Sequence, residues 1–357
     1  VMSEMKRCSA AALRNVTQQI LEATNTRSDV AARVAAILVN ANLSGHDSHG
    51  VLRISTYREQ IQRGVLVPDA DFSILQESPS TAQIDANLGW GHYTAWEAME
   101  LAMKKARETG VAAVAVARCN HIGRLGEYVE QAAAEGMASL VTIGMAGPGI
   151  GGAAPYGGVG RMLGTNPWAF GIPTAEDPPI VVDFATTVIA EGKIQVARSK
   201  GDTLPDGCIL DTSGNPSTKT EDYYSGGTIL HAGRHKGYAL SLVACLLGGL
   251  AGSMEPWLKH FKLDDPGWTM GGVFMTAFDV SCFQGLDTYR SDVSAVVSGL
   301  KTATLAPGFS EILAPGEPEY RAREQRKEAG IEIPDSIWSE LTEACQELSV
   351  TMIEEEG

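Results

Sequence analysis

Gly147-Pro148-Gly149-Ile150-Gly151-Gly152, followed at once by Ala153-Ala154-Pro155-Tyr156-Gly157-Gly158, is the stretch on which the fold turns. Its first six residues satisfy G-x-G-x-x-G and follow a β-rich run, Ala138 to Ile143, as a dinucleotide-binding turn would. Such a turn must open a helix whose N-terminus meets the pyrophosphate, with an acidic residue ~20 positions further on. Here a proline and two glycines stand where that helix would propagate, and neither residue type sustains one. Gly147 to Asn166 therefore reads as loop. Any dinucleotide must be bound by an architecture other than a Rossmann turn.

On either side of this loop, strand and helix patterns alternate. Upstream, Leu13, Val16, Ile20 and Ala23 recur at helical spacing, and Ser28 offers an N-cap to a second helix carrying Val30, Val34, Ile37 and Leu38. A third helix follows the loop His46 to His49 and places Arg53 and Tyr57 four apart on one face. Phe72 to Asp85 reads as a hairpin, Tyr93 to Gly110 as a helix closed by its glycine, Val111 to Ala117 as a strand, and Glu127 to Ala134 as a helix. Downstream come a strand at Ile180 to Asp183, a helix at Val188 to Ser199, and a turn-rich excursion from Thr203 to Thr220. A helix then runs from about Lys236, a strand from Val273 to Val280, a helix from Tyr289 to Thr302, and charged helices end the chain. The expectation is an α/β protein with some parallel pairing and helical segments at both ends.

The totals narrow the function. The chain has 357 residues, beyond the size at which one core stops growing, so two lobes are expected. Its 28 basic and 43 acidic residues give a net charge of −15, which opposes nucleic acid and anionic membrane surfaces, and no basic stripe offsets it. No apolar run reaches the ~18 residues of a membrane span. The longest, Tyr238 to Ala251, reads as a buried helix. Val1 to Lys6 has no apolar signal core behind it, so a cytoplasmic protein is expected. Cys8, Cys119, Cys208, Cys245, Cys282 and Cys345 form no C-x-x-C pair and read as reduced thiols rather than a disulfide or zinc framework.

Five short segments could carry chemistry. In Gly45-His46-Asp47-Ser48-His49-Gly50 a hydroxyl beside an imidazole offers a proton relay, and Arg53 beyond it could fork onto a carboxylate. The same residues could equally form a capping turn, and His46, Asp47 and His49 lack a definite metal geometry. Asn120-His121-Ile122-Gly123 follows a strand end, where α/β sheets place ligands. Gly164-Thr165-Asn166-Pro167 by itself is an ordinary turn. Asp183-Phe184-Ala185-Thr186-Thr187 lies between strand and helix, and its aspartate could be only an N-cap. His235-Lys236-Gly237 opens a helix whose free amides favour phosphate, or is a solvated basic pair.

In this order and spacing, together with Pro155-Tyr156-Gly157-Gly158, Leu204-Pro205-Asp206-Gly207 and Pro315-Gly316-Glu317, these segments resemble the malate/L-lactate dehydrogenase family, also called type-2 lactate or sulfolactate dehydrogenase-like. The resemblance spans about Leu13 to Ile333 and looks nearest to the hydroxycarboxylate dehydrogenase B branch, through His121-Ile122-Gly123-Arg124 and Gly207-Cys208-Ile209-Leu210-Asp211. It implies a non-Rossmann fold with a mixed sheet, and a homodimer that moves a hydride between NAD or NADP and C2 of a small 2-oxo/2-hydroxy carboxylic acid. By resemblance His49 is the proton donor and acceptor with Ser48 beside it, a role some members give instead to the residue matching His121. Arg53, Tyr57 and Thr165 would meet substrate. Asp183, Phe184, Ala185, His235, Lys236, Pro315, Gly316 and Glu317 match cofactor-contacting segments. No metal is implied. Residues 111–230 would form the cofactor lobe, and 1–110 with 230–357 a helical lobe for substrate and dimerisation. Trp168 departs from smaller or aromatic residues in relatives, which bears on pocket size, and Lys219 departs without an assigned role. Rival readings are a cyclic imino acid reductase on the same scaffold, a cofactor-binding protein without turnover, and metal-dependent hydrolysis from His46, Asp47 and His49.

Overall fold

Leu13, Val16 and Ile20 are buried on one face of the first helix, as their three- and four-residue spacing requires. The computed structural model describes residues 5–252 and 270–353. The chain opens with β1 (Met5–Cys8), α1 (Ala10–Glu22) and α2 (Ser28–Leu43). Ser9 caps α1 through its hydroxyl, whereas Ser28, expected as a cap, is the first residue of α2 and donates to Glu22 Oε1 at 2.6 Å. Two 3-10 turns (Asp47–His49 and Val51–Arg53) lead into α3 (Ile54–Gln62). The hairpin is β2 (Ser73–Glu77) with β3 (Thr81–Asp85). Then follow α4 (Gly91–Thr109), β4 (Val111–Ala117), α5 (Gly126–Ala134), β5 (Met137–Ala146), β6 (Trp168–Ile172) and β7 (Ile180–Phe184). A small lobe holds α6 (Glu191–Lys200), β8 (Ile209–Leu210), β9 (Pro216–Ser217), α7 (Thr220–Tyr224) and β10 (Thr228–Ile229). The rest is α8 (His235–Gly248), β11 (Met270–Asp279), α9 (Leu286–Lys301), α10 (Glu317–Ala329), β12 (Ile331–Pro334) and α11 (Asp335–Glu347).

Seven strands form the central sheet in the order β2-β3-β4-β11-β5-β6-β7. Only β3 and β4 pair in parallel; every other neighbour is antiparallel. The strand β11 pairs on both edges, with β4 and β5, and so is interior although it arrives late in the chain. A core of small and medium apolar residues joins this sheet to α4 and α5, and a second core joins α1, α2 and α3 to α11 and the β1–β12 ladder. Gly147–Gly152 is loop: Gly147 N donates to Met162 O and Gly149 N to Arg161 O, and no helix follows before β6. The fold is thus the mixed, non-Rossmann α/β arrangement expected.

One expectation is corrected. The apolar run from Tyr238 to Ala251 is not a buried helix within this chain. Its small residues, Ser241, Ala244, Cys245 and Gly248, are buried, while Leu246 and Leu250 are 48% and 57% exposed. Close approach is the cause. A Cβ on Gly144 of β5 would lie 2.3 Å from the Cys245 amide, and one on Gly248 2.4 Å from Gly272 O, so the helix backbone lies directly on the strands and its larger residues must face away.

Candidate active site

The turn at residues 45–50 is built from the end of α2. Asn42, buried in its last turn, donates from Nδ2 to Asp47 Oδ1 at 2.7 Å and accepts the Val51 amide on Oδ1 at 3.0 Å. Arg326 of α10 forks onto both oxygens of Asp47, at 2.8 and 3.1 Å, and also donates to the Asn42 carbonyl. Gly50 is obligatory here, because a Cβ would lie 2.2 Å from Asn42 Oδ1. The turn therefore holds Ser48 and His49 in fixed relation, with Ser48 Oγ 3.0 Å from His49 Nδ1. Arg53 Nε donates to the Ser48 carbonyl at 2.7 Å, and its two Nη groups make no hydrogen bond among the described residues. That leaves the guanidinium edge available to a carboxylate.

The loop after β4 brings His121 to the same place. Asn120 Nδ2 ties it to the Leu88 and Gly89 carbonyls at 2.6 and 3.1 Å, and the His49 and His121 rings stack with centroids 5.6 Å apart and planes 20° from parallel. Ser48, His49, Arg53 and His121 thus converge. Burial first, then the positive charge of Arg53, pushes the His49 pKa down to about 4, and burial likewise lowers His121 well below the usual range. Tyr57 is placed differently from the substrate contact expected. Its ring is buried behind His121, and its hydroxyl lies 2.7 Å from His121 Nδ1 and 3.3 Å from Nε2 of the fully buried His92. His46, Asp47 and His49 have separate partners: His46 Nε2 is 3.2 Å from Glu319, Asp47 holds Arg326 and Asn42, and His49 meets Ser48. They do not converge on a common point.

The remaining predicted residues fall along β7 and its continuation. Asp183 Oδ2 accepts the Gly126 amide at 2.7 Å, so this carboxylate caps α5; burial raises its pKa and the nearby Arg124 opposes the rise. Val181 N donates to Pro315 O at 3.1 Å, which lays the 314–317 segment along β7. Gly316, at φ +95°, sits where a Cβ would press within 3.1 Å of Pro179 O. Asp183, Pro315 and Gly316 line a cleft of about 350 Å³ with Arg124 and Glu319. Glu317 is turned to its own fold, accepting the Ala314 amide and pairing with Lys301. His46 joins this cleft to the turn, its Nε2 standing 3.2 Å from Glu319 of the cleft wall.

Past Ala185, the chain reaches a second cleft. Thr186 donates through amide and hydroxyl to the Thr165 carbonyl at 2.9 and 2.8 Å, and Thr187 bridges to His231. Here the His235 ring stands 6.0 Å from Tyr156 at the start of α8, beside a largely apolar cleft of about 610 Å³ walled by Tyr156, Val188, Leu210 and His231. Lys236 is exposed in the first turn of this fourteen-residue helix and makes no ion pair among the described residues. A nicotinamide dinucleotide fits these residues in part: Lys236 and the positive N-terminal end of the α8 dipole suit a diphosphate, and exposed Phe184 and the Gly316 cleft suit flat rings and ribose. The carboxylates of Asp183 and Glu317 already have protein partners. Trp168 lies outside both clefts, buried with its indole N–H on Leu240 O at 3.1 Å.

Sequence reading missed His92, Asn42 and Arg326, which act through contacts up to 284 residues apart and carry no motif. Asn166 stood inside a quoted motif, yet its role appears only in the fold. Its side chain accepts the Met145 amide at 2.9 Å and donates to Ser241 Oγ at 2.8 Å, pinning the 164–167 turn between β5 and α8.

A sequence profile described as malate/L-lactate dehydrogenase matches residues 8–342. The chain is 34% identical to a malate dehydrogenase of Pyrococcus abyssi (strain GE5 / Orsay) over 94% of its own length and 93% of that protein's. It is 31% identical to hydroxycarboxylate dehydrogenase B of Escherichia coli O157:H7, over 98% and 96%. Among solved structures, the sulfolactate dehydrogenase of Methanocaldococcus jannaschii superposes with a TM-score of 0.86 at 32% identity, covering 98% of each chain. A Δ1-piperideine-2-carboxylate reductase of Pseudomonas syringae pvar. tomato superposes with a TM-score of 0.81 at 30% identity, covering 95% of this chain and 99% of that one.

Proposed function

The chain belongs to the malate/L-lactate dehydrogenase family, and from that premise we propose that it interconverts a small 2-oxo acid and its 2-hydroxy acid at the Ser48–His49–Arg53–His121 cluster. The observation that carries this reading is the cluster itself: a hydroxyl 3.0 Å from an imidazole, a second imidazole stacked on the first, and an arginine whose outer edge is open. NAD or NADP, when bound, supplies or takes the hydride. The protein's task is to hold the acid and manage one proton.

Arg53 receives the substrate carboxylate on its two Nη groups, and Thr165 contributes to the substrate wall. His49 exchanges the proton with the C2 oxygen, and Ser48 fixes the ring through Nδ1, so that Nε2 faces the reaction. The low pKa of free His49 makes it a base ready for alcohol oxidation. For carbonyl reduction, the arriving carboxylate offsets the Arg53 charge that depresses His49, and so favours the imidazolium the step consumes. Tyr57 supports His121 from behind. Asp183, Phe184, Ala185, His235, Lys236 and the Pro315–Glu317 segment hold the cofactor, with Lys236 on its diphosphate and Asp183 and Glu317 shaping the walls. The cofactor residues come from inside 111–230, at Asp183, Phe184 and Ala185, and from outside it, at His235, Lys236 and Pro315–Glu317, so the cofactor site is not confined to that region; the helical flanks carry dimerisation in a cytoplasmic homodimer. The exposed Leu240, Leu242, Val243, Leu246 and Leu250 are the face a second copy would cover. Among the described residues, no helix is long and apolar enough to cross a membrane.

The reductase likeness favours one second reading, a cyclic imino acid as substrate. Both are tested by following oxidation of NADH and NADPH against pyruvate, oxaloacetate, phenylpyruvate, sulfopyruvate and piperideine-2-carboxylate. Turnover of an open-chain 2-oxo acid is expected. Turnover of the cyclic imine alone would replace the first reading by the second, and cofactor binding with no turnover at all would overturn both.

A further inference from the structure

Behind the stacked histidines lies a chain of hydrogen bonds that decides how His121 is protonated. Tyr57 Oη is 2.7 Å from His121 Nδ1 and 3.3 Å from His92 Nε2. A phenol has one hydrogen, so it donates to one ring and accepts from the other. Both imidazoles are neutral at working pH, held so by burial, and each therefore carries one N–H. Two arrangements satisfy the geometry. In one, His92 Nε2–H donates to Tyr57, and Tyr57 donates to His121 Nδ1. In the other every hydrogen is reversed, and His92 must carry its proton on Nδ1.

Three observations choose between them. His92 Nδ1 is fully buried with no hydrogen-bond partner among the described residues, and an orphaned N–H there would be the costlier species. His92 is the second residue of α4, where unpaired amides and the helix dipole favour a lone pair over another N–H. The distances agree: hydroxyl donors make the shorter bonds and N–H donors the longer. Gly123, at φ +72°, allows the contact, because a Cβ there would crowd His92 at 3.0 Å.

We infer that His92, acting through Tyr57, is a positioning residue that fixes His121 as the Nε2–H tautomer, so that His121 offers a neutral hydrogen-bond donor to the reacting oxygen while His49 alone exchanges the proton. That division of labour rests on the function proposed above; the tautomer itself does not. His121 would polarise the C2 carbonyl and leave His49 to finish the step.

The chain has seven histidines, so histidine-selective 15N labelling gives few signals, and long-range proton–nitrogen correlations report which ring nitrogen is protonated. His121 is identified by its loss in His121→Gln. At neutral pH its Nδ1 should be unprotonated and its Nε2 protonated. Tyr57→Phe and His92→Phe should both release that preference. His92→Phe should also lose about tenfold in kcat, and His92→Gln, which keeps an N–H donor at the same place, should restore the preference and recover most of that loss. A wild-type His121 protonated on Nδ1 would overturn the inference whatever the activity, as would an unchanged pattern in His92→Phe. The expected tautomer in a protein inactive on every 2-oxo acid would instead sink the proposed function and leave the tautomer standing.

Discussion

Arg53→Lys keeps the positive charge and removes the fork. In the structure one edge of the guanidinium is already committed, through Nε to the Ser48 carbonyl at 2.7 Å, and only the two Nη groups remain for substrate. A lysine ammonium can hold the loop or meet a carboxylate as a point charge; it cannot do both in this geometry. The substitution thus costs at least one charge-assisted hydrogen bond, worth about 1.5–3 kcal/mol, which corresponds to an about ten- to hundredfold rise in KM for the 2-oxo acid. Because the charge persists, His49 stays depressed and kcat should change much less. Initial rates at saturating cofactor and graded 2-oxo acid separate the two parameters. A KM within about twofold of the parent would make Arg53 a brace for the turn rather than a carboxylate clamp.

Three further outcomes follow from the same geometry. Protonation of His49 and His92, whose pKa values lie at about 4 and about 3, is resisted in the fold but not in the unfolded chain; the unfolded state therefore binds more protons below about pH 6.5, and the melting temperature should fall as pH drops from 7 toward 4. A melting temperature flat over that range would contradict the burial of these rings. Arg326→Met removes the fork on Asp47 and should lower kcat about tenfold or more through a loosened turn, with cofactor affinity measured by fluorescence titration little changed; unchanged kcat would show that Asn42 suffices to hold the turn. Leu246→Glu puts a charge on the exposed face of α8 and should convert a dimer to monomer in sedimentation velocity, whereas a monomeric parent protein would remove the proposed interface.

What could be read from the sequence divides along a physical line. Local signals were sound: the spacing in α1, the hairpin Phe72 to Asp85, and the helix stop at Gly110, which takes φ +82°. So was the refusal to read Gly147–Gly152 as a Rossmann turn, because proline and glycine act where they stand. Long-range placement was not legible. Nothing in Val273 to Val280 announced an interior strand between β4 and β5, and β6 and the β1–β12 ladder went unread because strands this short depend on partners far along the chain. The buried-helix expectation for Tyr238 to Ala251 failed for a related reason: composition cannot tell leucines packed on a sheet from leucines turned outward. In the site, Ser48, His49, Arg53 and His121 were marked by residue type and motif order. Asn42, His92 and Arg326 are ordinary helix residues until the fold brings them to the turn.

His49 as the group that exchanges the proton is tested most directly by the kcat of His49→Ala on the preferred 2-oxo acid, with cofactor affinity measured alongside. A loss of about 10²–10⁴-fold in kcat with cofactor affinity intact is the predicted result. Near-normal turnover, with the large loss found instead in His121→Ala, would contradict it and move the proton to His121.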